Sequence, residues 1–426
     1  MDDRVFVKPS GLKRFERDDK VIYINPDVPS WFVTNKLGEA CFDLFDGINT
    51  IDEIVEFCSG SFEEDCRDLF VRFCNEVVES GIFEQPSNAI KRPYTLDMVH
   101  LMLTDKCNLH CKYCYASERI ESGYGYLSRE DYFGIIDQLI DVNPSVSFTL
   151  SGGEPLLNDS WSDIASYIKQ KGSQSLLLTN GLLIDDSNVL TIKSLFSLVT
   201  LSIDGSTVEI HSRTRGDNYN KLIGVIDLLE RNEVNYSLSM TVSRYNIDDV
   251  EDMAKRFGNK LNYQPLFPTK GCSDSMSITG VEYYQALKKA SGVNPLSYCE
   301  AALDRSKFVP CLKCAMGEGE ISISATGDVY PCQLLHNDYF IAGNIHENSI
   351  REILRDSPVL KKCRGISVDT IDGCKDCAIK YICGGACRAR SYYETKSIEK
   401  SGNFCEYEKN AYLDGIVQIY SRNVFN

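Results

Sequence analysis

Residues 104–116 read TDKCNLHCKYCYA and put Cys107, Cys111 and Cys114 in a C-x3-C-x2-C pattern directly after an apolar run at 98–104. That run predicts a β-strand, so the triplet sits on the loop that follows it. The chain holds 18 cysteines in 426 residues. Disulfides are rare in a reducing compartment, so thiols in this number are core residues or metal ligands, and spacing decides which. Three thiolates leave one iron of a four-iron cubane without a terminal ligand. An iron left open is a coordination position for substrate or cofactor, by the logic of open catalytic metal sites. A zinc site needs a fourth ligand nearby. His110 is adjacent, but its spacing fits no common zinc pattern, and the iron reading is favoured.

Outward from the triplet, strand and helix patterns alternate. Strands are expected at 98–104, 146–151, 174–179, 198–203, 236–242 and 260–266, and helices near 129–141, 160–171, 186–194, 218–231 and 247–257, with Ser128 as an N-cap. Six strand–helix units predict an α/β fold with a parallel sheet, doubly wound or an incomplete barrel. Four short motifs fall at the carboxyl ends of successive strands: SGGEP (151–155), TNG (179–181), SIDG (202–205) and, just beyond, HSRTRG (211–216). Each contains residues that turn chemistry alone would explain. Four in order at one end of a sheet point to a site, because α/β barrels build their sites there.

The triplet and these motifs resemble the radical S-adenosylmethionine (radical SAM) superfamily. That resemblance implies a partial (β/α)6 barrel of TIM type. It also implies that the methionine moiety of S-adenosylmethionine chelates the open iron, and that an electron from the reduced cluster cleaves the sulfonium to a 5′-deoxyadenosyl radical. That radical abstracts hydrogen from an unactivated carbon, while the protein positions the cofactor and excludes water. The residues implied to bind the cofactor are Tyr113, Gly152, Gly153, Glu154, Thr179, Asn180, Ser202, Asp204 and Arg215. Glu154 is the expected partner of the cofactor's ammonium group. Ser202 and Arg215 are the expected partners of its carboxylate, with Arg213 as a fallback; Ser212 stands where the family usually has Asp.

The carboxyl-terminal cysteines run Cys314-x12-Gly327-x4-Cys332, then Cys374-x2-Cys377-x5-Cys383-x3-Cys387, then Cys405. Between about Cys311 and Cys405 the periodicity fades, which predicts an irregular region. The order resembles the SPASM domain, an auxiliary-cluster module of peptide-modifying radical SAM enzymes. By that resemblance Cys374, Cys377, Cys383 and Cys405 bind one auxiliary cluster, and Cys314, Cys332 and Cys387 bind the other. Cys311 is the candidate fourth ligand; otherwise that cluster has an open iron that a substrate thiolate can occupy. Cys272, Cys299 and Cys363 fit no motif, though any of them is an alternative fourth ligand. With the triplet this makes three [4Fe–4S] clusters, one of them S-adenosylmethionine-binding.

Residues 1–84 predict a winged-helix-like α+β domain of three strands followed by three helices, with a Thr50–Glu53 capping box. Cys41, Cys58, Cys66 and Cys74 fall in helical patterns and read as small buried hydrophobes. The segment carries 9 basic and 19 acidic side chains, net −10, within a chain of net −16. That charge argues against nucleic acid and anionic membrane. No apolar run reaches membrane-span length and the first residues show no signal-peptide pattern, so a cytoplasmic protein is expected. In element order and in the segment INPDVPSWFVTNKLGEACFDLFDG, the domain resembles the RiPP recognition element, related to a peptide chaperone of pyrroloquinoline quinone biosynthesis. The resemblance implies that a leader peptide adds as a strand beside residues 30–34 and packs on the helix at 62–80.

The expected organisation is thus 1–84 leader-binding domain, 85–97 linker, 98–270 radical SAM core, 271–310 bridging region and 311–426 SPASM domain with carboxyl-terminal tail. The resemblances imply a maturase of a ribosomally made precursor peptide, forming cysteine thioether bonds of the sactipeptide or ranthipeptide type and served by a flavodoxin- or ferredoxin-type reductant. Alternatives are carbon–carbon side-chain crosslinking, an anaerobic sulfatase-maturase-like activity, and a non-catalytic iron–sulfur regulator. The last needs a basic DNA-reading face that residues 1–84 lack.

Overall fold

The computed structural model describes residues 2–61, 66–84, 95–114, 126–269, 274–290 and 309–420. The amino-terminal unit runs β1 (Val5–Val7), β2 (Lys13–Arg17), β3 (Lys20–Asn25), β4 (Ser30–Thr34), α1 (Lys36–Phe42), β5 (Asp46–Thr50), α2 (Ile51–Gly60) and α3 (Arg67–Glu79). Strands β2, β3 and β4 form an antiparallel sheet with β4 on its edge, and β1 pairs with β5. The expected capping box is present: Thr50 N–H donates to Glu53 Oε2 at 2.8 Å, and Glu53 N–H to Thr50 Oγ1 at 3.2 Å. Cys41, Cys58 and Cys74 are buried among Phe42, Phe45, Phe70 and Phe73, as their helical positions predict.

Two strands here are additions to the sequence reading. β2 reads KRFER and β5 reads DGINT, and neither carries an apolar period. Their pairing is set by neighbouring strands, which outweigh local propensity. Helix α1 also stops at Phe42, short of the predicted Gly47.

All six predicted barrel strands are present: β6 (Met98–Met102), β7 (Ser147–Ser151), β8 (Ser175–Thr179), β9 (Leu198–Ser202), β10 (Tyr236–Val242) and β11 (Leu261–Pro265). They lie parallel and in chain order. The helices between them are α4 (Arg129–Val142), α5 (Trp161–Gln170), α6 (Val189–Leu195), α7 (Val208–Arg215), α8 (Tyr219–Arg231) and α9 (Val250–Phe257). Ser128 caps α4, accepting from Asp131 N–H at 3.2 Å. Helix α7 is the one the sequence missed. It reads VEIHSRTR, buries only His211 and Thr214, and has no apolar stripe to announce it.

The region predicted to be irregular is more ordered than expected, and its first strands belong to the barrel sheet. β12 (Glu320–Ile323) pairs in parallel with the free edge of β6, and β13 (Asp328–Tyr330) and β14 (Gly343–Asn344) extend it antiparallel to a nine-stranded sheet. The helices outside the barrel core are α10 (Gly280–Lys289), α11 (Ile350–Asp356), α12 (Pro358–Arg364), α13 (Lys380–Cys383), α14 (Arg388–Thr395) and α15 (Cys405–Tyr420). No described helix is long and apolar enough to cross a membrane. Most of the expected linker, residues 85–94, and Cys272 and Cys299 lie outside the described residues.

The amino-terminal sheet rests on α15. Ile22, Ile24, Trp31 and Val33 pack against Ile379, the cap of α13, and Ile382 within it, and against Ala411, Leu413 and Ile416 of α15. Asp414 ties α15 to β2 and α10: Arg17 Nε lies 3.2 Å away, Lys288 Nζ 3.1 Å, and Tyr284 donates its hydroxyl. Leu413 is wholly buried in this seam. Leu413→Ala should cost about 2–5 kcal/mol by cavity formation. Hydrogen exchange at residues 20–34 should speed up while the barrel strands keep their protection. Unchanged exchange there would show that the seam does not hold the sheet.

Candidate active site and cysteine centres

The carboxyl ends of the barrel strands surround a cavity of about 580 Å³. Cys107, Cys111, Tyr113 and Cys114 enter it from the loop after β6, Gly152 and Gly153 from the end of β7, and Thr179 and Asn180 from β8. Ser202 of β9 and Arg215 at the end of α7 complete the upper wall. The triplet and seven of the nine predicted cofactor residues therefore converge on one space. Sequence reasoning missed a polar lining deeper inside: Ser237, Ser239, Thr241, Asn262 and Gln264. Its signal was legible in β10, YSLSMTV, where Ser237, Ser239 and Thr241 alternate with buried Leu238, Met240 and Val242.

Glu154 and Asp204 are the two exceptions, both with no exposed surface. Glu154 was expected to pair with a ligand ammonium, and its oxygens instead accept from protein donors. Thr179 Oγ1 donates to Oε1 at 2.7 Å, Asn180 N–H to Oε2 at 2.8 Å and Leu156 N–H to Oε1 at 3.2 Å. Burial pushes its carboxyl above the usual range, and these bonds oppose that shift. Its place is behind the wall, tying the end of β7 to the end of β8.

Asp204 plays the same part on the opposite side. Its Oδ2 receives the Tyr113 hydroxyl and Thr214 Oγ1 (2.8 Å) and lies 2.9 Å from Arg215 Nε, and its Oδ1 receives Thr241 N–H at 3.0 Å. Arg215 is held with its Nη1 3.7 Å from Cys111 Sγ and its guanidinium 5.5 Å from the Tyr113 ring centre. Arg213 pairs with Glu209 at 2.7 Å and does not line the cavity, which removes it as the fallback.

The glycines answer a steric demand. A Cβ on Gly152, at φ +137°, would stand 2.3 Å from the Thr104 carbonyl oxygen, and one on Gly153 2.2 Å from that of Lys106. Gly153 N–H donates to Thr104 O at 2.7 Å and Glu154 N–H to Lys106 O at 2.8 Å. This strap pins the chain immediately before Cys107.

The thiols themselves suit metal ligation. Burial pushes Cys111 up to about 11, against the pull of Arg215, so that a thiolate forms there only with a cation's help. In the carboxyl-terminal region the cysteines fall into two electrostatic sets. Cys332 feels Cys387 and Cys314, while Cys374 and Cys383 each feel Cys405 and Cys377. Burial lifts Cys314 to about 12 and Cys374 to about 11. Among the described residues no three His, Cys, Asp or Glu side chains are arranged to hold a single ion; a cubane places its thiolates on different irons and makes no such demand. Cys311 lies against Gly384, the residue after Cys383, with its N–H donated to Tyr381 O at 2.7 Å. Cys363 is 2% exposed in an apolar cluster.

Residues 101–257 match the radical SAM superfamily, and residues 314–378 match SPASM, an iron–sulfur cluster-binding domain. The chain contains a radical SAM domain and a SPASM domain. Its barrel and both cysteine regions carry the features by which those domains were expected. The AdoMet-dependent heme synthase of Methanosarcina barkeri is 27% identical over 338 residues, covering 72% of this chain and 95% of the relative. The subtilosin biosynthesis protein AlbA of Bacillus subtilis is 26% identical over 415 residues, 89% of each chain. Among solved structures, native anSMEcpe with bound AdoMet superposes with TM-score 0.65 at 20% identity, covering 77% of this chain and all of that one. Streptococcus suis SuiB superposes with TM-score 0.58 at 13% identity over 93% and 98%. The last two likenesses show a shared fold.

Gly153→Ala should displace the loop before Cys107, because the clash is with backbone; such overpacking costs about 1–3 kcal/mol. Iron at the triplet should fall and the carboxyl-terminal iron should stay. Gly134→Ala, with nothing within 4 Å of the new methyl, is the control. Full triplet iron in Gly153→Ala, by iron assay and Mössbauer spectroscopy, would refute the steric argument.

Proposed function

We propose that this radical SAM protein modifies a ribosomally made precursor peptide, joining cysteine sulfur to a carbon of an acceptor residue. The observation that carries this reading is the amino-terminal unit, whose three-stranded sheet has an edge strand, β4, seated on the SPASM region. Ser30 Oγ and Thr34 Oγ1, at the two ends of that strand, are buried without a hydrogen-bond partner among the described residues. An added peptide strand is one way to satisfy such an edge. The similarity to AlbA extends over 89% of the chain and so takes in at least part of this unit.

In this reading Cys107, Cys111 and Cys114 hold a [4Fe–4S] cluster whose open iron takes S-adenosylmethionine. That pair, when bound and reduced, supplies hydrogen-atom abstraction from carbon. The chain's own residues do the positioning. Gly152 and Gly153 let backbone approach the ligand, Arg215 offers a cation to a carboxylate, and Asn180 and Ser202 offer polar contacts. Leu178, Leu266 and Phe267 keep water from the cavity. The set Cys374, Cys377, Cys383 and Cys405 and the set Cys314, Cys332 and Cys387 hold two auxiliary clusters, with Cys311 or an open iron completing the second. Forming a carbon–sulfur bond from a carbon radical and a thiolate releases one electron, which an auxiliary cluster can accept. A flavodoxin- or ferredoxin-type protein is the proposed reductant.

A sulfatase-maturase-like reading has one observation in its favour. The cysteine-type anaerobic sulfatase-maturating enzyme of Clostridium perfringens is 25% identical over 69% of this chain. The readings part at β4, for which a sulfatase substrate has no use. Carbon–carbon crosslinking keeps the leader site and differs only in product.

Cys107→Ala/Cys111→Ala/Cys114→Ala should abolish 5′-deoxyadenosine formation while retaining auxiliary iron. With wild-type enzyme and the precursor encoded beside it, the product should lose two hydrogens per crosslink. Precursor binding should slow hydrogen exchange at residues 30–34. A precursor that binds tightly and leaves that strand unprotected would remove the leader-binding assignment, and normal cofactor cleavage by the triple variant would remove the triplet's role.

A further inference from the structure

Arg388 follows Cys387 and opens α14, and its side chain is 1% exposed. Its Nη1 donates to the carbonyls of Lys400 (2.8 Å) and Ile398 (3.3 Å), and its Nη2 to the carbonyl of Gly385. Its Nε is buried with no hydrogen-bond partner, and among the described residues no carboxylate forms an ion pair with it. The other buried guanidiniums are compensated. Arg215 lies 2.9 Å from Asp204. Arg390 lies 3.6 Å from Glu394 and stacks on Phe267 and Phe404 at 4.4 and 4.0 Å.

A buried charge with no counter-charge is too costly to persist in a stable fold. Carbonyl dipoles soften that cost and leave the charge in place. The missing anion has an address. Arg388 directly follows Cys387 of one cysteine set, and the segment 398–400 whose carbonyls it binds pairs through Lys400 with Asp372, two residues before Cys374 of the other. A cubane with four thiolates is a net anion in its oxidised resting state, since four thiolate charges exceed that of its core. Clusters held by the two cysteine sets, anionic with four thiolates or with three, supply what the protein lacks. Glu408, which also faces Cys383 and Cys405, has the wrong sign to help.

We propose that Arg388 is the counter-charge shared by the two auxiliary clusters, a positioning residue that retains them in the interior and raises their reduction potentials. The proposal rests on the ligand sets given under Proposed function. Reduction adds one electron to a cluster, and a fixed neighbouring cation favours the more negative state, so neutralising Arg388 lowers the potential of both.

The test compares reconstituted full-length wild type, Arg388→Lys and Arg388→Gln by iron content and by potentiometric titration followed by electron paramagnetic resonance. The triplet cluster serves as internal standard. Arg388→Gln should shift the reduced-to-oxidised ratio of each auxiliary cluster at least about tenfold toward oxidised, about 59 mV for one electron. Arg388→Lys should stay near wild type. Failure of Arg388→Gln to retain auxiliary iron that Arg388→Lys retains supports the same role. Unshifted potentials in a loaded Arg388→Gln protein would overturn it. So would equal damage in both variants, which would make the guanidinium's hydrogen bonds, and not its charge, the cause. Wild type that binds iron at the triplet alone would instead bring down the auxiliary ligand sets, and this proposal with them.

Discussion

The close approach of two backbones, 152–153 against 104–106, is the constraint on which the site depends. Three thiols on a loop have no reason to face the same space unless the loop's entry is fixed. Here the entry is fixed by hydrogen bonds to the carbonyls of Thr104 and Lys106, and glycine alone leaves room for them. Glu154 and Asp204 extend the same principle. Each carboxylate lies behind the cavity wall and spends its oxygens on the residues that form it. The cavity is left with Arg215 as its charged lining residue, poised beside Cys111.

A second constraint joins the outer parts to this core. The SPASM region enters the barrel sheet through β12, and the amino-terminal sheet lies on α15, which itself begins at Cys405. Cys377 and Cys383 border the apolar seam under Trp31 and Val33. The elements that carry one cysteine set are thus the floor on which the amino-terminal sheet stands.

Much of this was legible in the sequence because it rests on burial and spacing. Strands buried on both faces read as apolar runs, and all six barrel strands were placed within a residue or two of their observed ends. The expected grouping of the carboxyl-terminal thiols came from the SPASM resemblance and not from spacing, which alone would have put the neighbours Cys383 and Cys387 together. What escaped depends on contacts distant in the chain. The charged strand β2 and the exposed strand β5 are strands only because partners pair with them. Helix α7 hides His211 and Thr214 behind a polar sequence. That Glu154 and Asp204 turn away from the cavity is a matter of side-chain direction at a strand end, which no periodicity records.

The pairing of β6 with β12 sets the order in which the protein can be finished. His100 and Ser322 face each other across that ladder and are 222 residues apart in the chain. At about 5–20 residues per second, a ribosome takes about 11–44 s to cross that interval. Throughout it one edge of the barrel's first strand has no neighbour, in a segment reading MVHLM whose last four residues end up buried. An unpaired apolar edge is a template for the wrong chain. The nascent barrel is therefore an aggregation hazard until its last domain emerges, and the domain that ends the hazard also carries the late cysteines.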